Sequence, residues 1–147
     1  MNGFRALLLL LLCSFGLVAQ GSFRIGRLPN GDCNDWAFFS GTARKQMNTD
    51  RAILQTGDNC NQRIRINDRE IGLTTVKQEL PDRNWKVGRG GYEVLKGKDI
   101  KVRLDYIFTW LCPSQDENCE VYYYRGTVDI TYKGEHRRLK IVGMGGS

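Results

Sequence analysis

The chain has 147 residues, with 22 Lys and Arg against 16 Asp and Glu and a formal net charge of +6. That is moderately basic, short of the charge density of a dedicated nucleic-acid binder. One histidine leaves little material for a zinc site or a catalytic triad, and the length suits one domain around one core.

The first residues, Met1-Asn2-Gly3-Phe4-Arg5, precede Ala6, the leucines Leu7 to Leu12 and an apolar run to Val18, followed by Ala19-Gln20-Gly21. One positive charge, a short apolar stretch and small residues at its end predict a secretory signal peptide over 1–21, cleaved after Ala19 or Gly21. The run falls short of the roughly 20 apolar residues a membrane span needs, so no transmembrane segment is expected after cleavage. Residues 22–147 then form a single domain, expected to be secreted, outside the cell or in a periplasm. Nucleic acid is excluded as a partner by that destination. Cys33, Cys60, Cys112 and Cys119 read as two disulfides in an oxidising compartment. The favoured pairing is Cys33–Cys60 and Cys112–Cys119, the second bracketing one loop. If even-numbered residues face the core on both flanking strands, Cys112 and Cys119 point to opposite faces. A one-residue bulge at the loop would restore the match; without it, the two would have to bond elsewhere.

In chain order, Ser22 to Pro29 reads as an exposed basic leader with Arg24 and Arg27. Asn30-Gly31-Asp32 is a turn signal. Trp36 to Ser40 reads as a strand, Gly41 to Asp50 as a loop or a single helical turn, and Ala52 to Thr56 as a short strand. Arg63-Ile64-Arg65-Ile66 alternates and Asn67-Asp68 turns it into Glu70 to Val76, which predicts a hairpin. Leu80-Pro81-Asp82 ends that unit, because proline cannot donate to a ladder. Gly88-Arg89-Gly90-Gly91 reads as a flexible turn before a strand at Tyr92 to Leu95.

Ile100 to Val142 carries the most regular pattern. Ile100, Val102, Leu104, Tyr106, Phe108 and Trp110 alternate with Lys101, Arg103, Asp105 and Thr109. Tyr122, Tyr124, Val128, Ile130 and Tyr132 alternate in the same way, and Lys133-Gly134-Glu135 turns the chain into Leu139 and Ile141. Side chains alternate faces along a strand, so this is a three-strand antiparallel meander with one buried face. The whole chain predicts an all-β fold of about eight short strands with two disulfides. The favoured form is an antiparallel β-sandwich, immunoglobulin-like or jelly-roll-like, and the alternative is a small β-barrel.

The sequence offers few reactive constellations. His136 sits beside a turn with no orienting carboxylate in view, and no serine lies in a Gly-x-Ser-x-Gly setting. No Cys-x-x-Cys pair suggests zinc. No cofactor and no catalytic residue are assigned. Asp32, Asp35 and Asp58 are a candidate calcium cluster if Cys33–Cys60 joins their loops, although Asp, Asn and Gly are also what turns are made from. The outward face of the meander would gather Lys101, Arg103, Arg125, Arg138 and Lys140, with Asp105 and Asp129 placed to offset them. Tyr123 faces opposite to its neighbours, beside Ile107 and Leu111, where a sugar or a protein partner could stack on it. The expected function is therefore a non-enzymatic exported binding module for an anionic partner, an anionic polysaccharide or a protein. Two alternatives stand beside it: a small hydrolase using a carboxylate pair, and a lipocalin-like carrier of an apolar ligand.

Overall fold

A computed structural model describes residues 23–29, 36–45, 47, 51–57, 61–80, 85–113 and 119–146. The expected signal peptide and the segments carrying Cys33, Cys60, Asp32, Asp35 and Asp58 lie outside the described residues. Among the described residues nine strands follow one another: β1 (Trp36–Ser40), β2 (Leu54–Thr56), β3 (Arg63–Ile66), β4 (Arg69–Gly72), β5 (Thr74–Glu79), β6 (Gly90–Gly97), β7 (Ile100–Trp110), β8 (Val121–Tyr132) and β9 (Glu135–Gly146). All pairs are antiparallel, and the strands form one sheet in the order β4-β3-β2-β1-β9-β8-β7-β6-β5. The protein is thus all-β, as its alternation predicts, with the nine strands in a nearly closed, barrel-shaped sheet. A small β-barrel fits this arrangement.

Two-residue turns link several neighbours. Asn67 and Asp68 both take positive φ between β3 and β4, as do Lys133 and Gly134 between β8 and β9. Such turns match the right-handed twist of the strands they join. The two ends of the sheet, β4 and β5, are separated only by Leu73. They form one bent run, pairing with β3 by its first half and with β6 by its second. The Leu73 amide donates to Gln62 O at 2.8 Å, and the Thr75 hydroxyl lies 3.1 Å from Gln62 Oε1, which draws the two edges together. Glu70 to Val76, expected as one strand, is interrupted here because it serves both edges.

The inward side chains of almost every strand meet in one core: Phe38, Leu54, Ile64, Ile66, Leu95, Val102, Leu104, Phe108, Tyr124, Val128, Ile130 and Ile141. Phe23 closes one end against Tyr132, with the Arg137 guanidinium over its ring and donating to its carbonyl at 2.8 Å. The leader expected to be exposed is therefore anchored: Phe23 and Leu28 are buried, and only Arg24 and Arg27 point to solvent. The other end is aromatic. Trp36, Trp85, Tyr122 and Phe108 pack with ring centroids 5.0–6.5 Å apart. A smaller cluster of Phe39, Met47, Ala52 and Val142 lies on the outer side of β1 and β9, covered by the helical turn at Arg44 to Met47.

The β7–β8 ladder shifts register between Phe108 and Trp110, so that Phe108 faces Tyr124 while Trp110 faces Tyr123. This is the bulge that the disulfide requires: it brings Cys112 opposite Val121, and Cys112 bonds to Cys119. Gly90 and Gly91 belong to β6, not to a turn, and pair with Ile107 and Tyr106. Only Gly88, at φ +86°, has turn geometry in that stretch. Among the described residues no helix is long and apolar enough to cross a membrane.

Candidate functional site

The outward positions of β7, β8 and β9 hold the predicted cations, because alternate residues of each strand point away from the core. Lys101, Arg103, Arg125, Arg138 and Lys140 are all exposed. Register divides them into two bands. In the lower band Arg103, Asp129 and Arg138 stand side by side across the three strands. Arg138 grips Asp129 with two bonds of 2.7 Å, and His136 Nε2 lies 3.0 Å from the same carboxylate. Arg103 grips Asp105 with bonds of 2.8 and 2.7 Å and lies over the Tyr92 ring at 4.6 Å. Forked pairing of this kind occupies both carboxylate oxygens and two of the three guanidinium nitrogens. Hydrogen bonds from Arg138, followed by its charge and by His136, hold Asp129 below the ordinary carboxylate value; partial burial works against them. These cations are largely neutralised where they stand.

The upper band differs. Its rows are Asp105–Thr127–Lys140 and Ile107–Arg125–Val142. Arg125 and Lys140 lie diagonally across β8 and β9, and neither has a carboxylate partner among the described residues. Both border a groove of about 720 Å³ that crosses the outer side of β5 to β9. Ile107 and Thr127 lie on its floor, Thr42 at one end, and Tyr92 and Glu79 at the other.

The groove follows from glycine. A Cβ on Gly90 would collide with the Tyr106 carbonyl oxygen, and one on Gly126 with the Asp105 carbonyl oxygen. Strand interiors carry glycine where backbones approach closely or a barrel bends. Here Gly91, Tyr106 and Gly126 form one transverse row, so the sheet bends along a line that crosses its strands. No side chain at Gly90 fills the valley from outside.

Tyr123 faces outward but is not a bare platform. The bulge places it beside Trp110, with ring centroids 5.5 Å apart, and the Arg44 guanidinium lies 3.6 Å from its ring centre. It packs against the outer cluster with Met144, away from the groove floor. Lys101 stands on the far side of the lower band, next to Lys96 across the β6–β7 ladder. The cations were therefore legible from alternation. The groove was not, because it depends on where glycines of different strands come into register.

The interior adds a polar cluster that alternation alone left among the core positions. Glu93, Tyr106 and Tyr124 are buried, and the hydroxyls of Tyr106, Tyr124 and Thr56 have no hydrogen-bond partner among the described residues. Burial, then the neighbouring Tyr122, Tyr106 and Glu93, push the Tyr124 hydroxyl well above its ordinary value. Tyr106 is raised in the same way, first by burial and then by Glu93 and Tyr122. Both environments favour the protonated hydroxyl. Among the described residues no three His, Cys, Asp or Glu side chains are grouped to hold a metal ion.

Comparison with known proteins gives no family that matches the chain, and no characterised protein or solved structure that matches it.

Proposed function

We propose that the chain is an exported, non-enzymatic binding module that holds an anionic group at Arg125 and Lys140, on the outer groove of a small β-barrel. The observation that carries this reading is the contrast in pairing. Arg103 and Arg138 are tied to Asp105 and Asp129, whereas Arg125 and Lys140 border a groove with no carboxylate on either. A sulfate, phosphate or carboxylate would complete them, with Arg125 providing forked donors. Export is supported by the apolar leader and by the Cys112–Cys119 bond, since disulfides persist in oxidising compartments. A hydrolytic reading is less well supported. Glu79 and Asp105 both border the groove, but both Asp105 oxygens already accept from Arg103, so that carboxyl is not free to act on a substrate.

The test compares two double variants with the same loss of charge. Arg125→Gln/Lys140→Gln and Arg103→Gln/Arg138→Gln are eluted by a salt gradient from resins carrying sulfate and carboxylate groups. The first is expected to elute well before the second, which stays near the wild type. Equal displacement of both would show that only net charge matters and would sink the reading.

A further inference from the structure

From the shape and charge of the groove we infer its ligand class: a small amphipathic molecule with a single anionic head, not a polyanionic chain. The inference rests on the anion-binding reading above and narrows it.

Volume is the first argument. About 720 Å³ falls in the range of small-molecule sites, which are mostly apolar with a few converging polar groups. The floor has that composition: Ile107, 36% exposed, lies between stretches of glycine backbone at Gly90–Gly91 and Gly126.

Charge is the second argument. Arg125 and Lys140 stand at the β8–β9 end, while Glu79 and the Arg103-bound Asp105 stand toward β5 and β6. A uniformly sulfated chain laid along the groove would bring its far charges onto Glu79 and Asp105, and like charges at close range repel. A molecule with one anionic head meets the cations and leaves an uncharged body over Ile107. The groove crosses five strands; from Arg125 on β8 to β5 is three spacings of about 4.8 Å, which leaves the body roughly 14 Å in which to lie.

The experiment is calorimetric titration of the full mature chain with hexanoate, octanoate, decanoate and dodecanoate below their aggregation thresholds. Dodecanol, dextran sulfate and phosphatidylglycerol vesicles form the other arms. Binding is expected at one site, tightening about twofold to fourfold per added methylene, the range an open apolar groove allows. Arg125→Gln/Lys140→Gln should lose at least tenfold in affinity for every carboxylate. Ile107→Ser should flatten the dependence on chain length while leaving the short members unchanged. Dodecanol should bind far more weakly than dodecanoate.

Retention on the charged resins that depends on Arg125 and Lys140, with no chain-length dependence in the titration, would overturn this inference and leave the anion-binding reading standing. Preferential binding of dextran sulfate or of the vesicles would overturn it as well. Loss of both the resin and the calorimetric effects would bring down both readings together.

Discussion

The lower and upper bands of the outer face are built on the same three strands, one residue pair apart, yet they do different things. In the lower band Asp129 stands between two arginines and pairs with Arg138, while Arg103 pairs with Asp105 two residues along its own strand. In the upper band Thr127 and Ile107 stand beside the cations, Asp105 is turned to Arg103, the backbone beneath is glycine at Gly126, and the cations look onto a groove. The difference teaches that a count of basic residues on a face is a poor measure of its binding capacity. What matters is whether register places a carboxylate opposite each one. Surface pairs contribute little to stability, so the lower band is better understood as neutralisation than as a structural brace.

Several changes would break or sharpen that contrast. The largest effect is expected from Gly126→Val, because the new side chain meets the Asp105 backbone and no flexible group can yield. A loss of about 3 kcal/mol in urea unfolding is expected, with the groove deformed and anion binding abolished together. A variant of wild-type stability would show that the bend does not depend on glycine.

Replacing Cys112 and Cys119 with serine should cost about 2 kcal/mol, the entropy of leaving a short loop open in the unfolded chain. Anion affinity, measured on the folded fraction, should be unchanged, since the bond lies beyond the groove. A parallel fall in affinity would mean that the bulged end of β7 and β8 helps to set the site.

Asp129→Asn should act on the bands in opposite senses. Removing the carboxylate frees Arg138, so stability should fall slightly while retention on sulfate resin rises a few-fold at low salt. If retention does not change, neutralisation by Asp129 is not what keeps the lower band silent.

The pH dependence has two limbs. Asp129 is depressed in the folded state, so its contribution is intact above the ordinary value of 3.8 and fades as pH falls below it. The same protonation should uncover Arg138, so acid should weaken the fold as it strengthens retention. Tyr124 is raised in the folded state, so its contribution is intact below the ordinary value of 10.0. Above that, the unfolded chain releases a proton that the folded chain keeps, and stability falls. Tyrosinate absorbance near 295 nm should show Tyr124 ionising only as the chain unfolds. Smooth ionisation of every tyrosine before unfolding would contradict its burial.

Much of the architecture was legible in the residues. From Ile100 to Ile141 the period-two alternation identified both faces of three strands except at Trp110, which was expected to face inward with Phe108 and which the bulge turns outward against Tyr123. The Cys112–Cys119 parity conflict pointed to a bulge at the loop if the two were to bond, and the structure places it earlier, between Phe108 and Trp110. Less regular stretches were misread for physical reasons. Phe23 and Leu28 stand in a run too short to show a period, so nothing local marked them as buried. Gly90 and Gly91 resemble turn residues because glycine is permissive everywhere. Only the neighbouring strand shows that here they are needed for close approach.

By itself the sequence determined that this chain is all-β and antiparallel, that one face of its C-terminal meander is apolar, and that the other face carries Lys101, Arg103, Arg125, Arg138 and Lys140. These are consequences of local stereochemistry and need no knowledge of distant partners. Tertiary structure decided the rest: that β4 and β5 draw the two sheet edges together at Leu73, and that Asp129 falls between Arg103 and Arg138 while Arg125 and Lys140 have no such neighbour. It also decided that Gly91 and Gly126 flank Tyr106 in one row and bend the sheet into a groove. Each of these is a matter of register between strands far apart in the chain, and register is set by the packing of the whole core, which no single stretch of sequence contains.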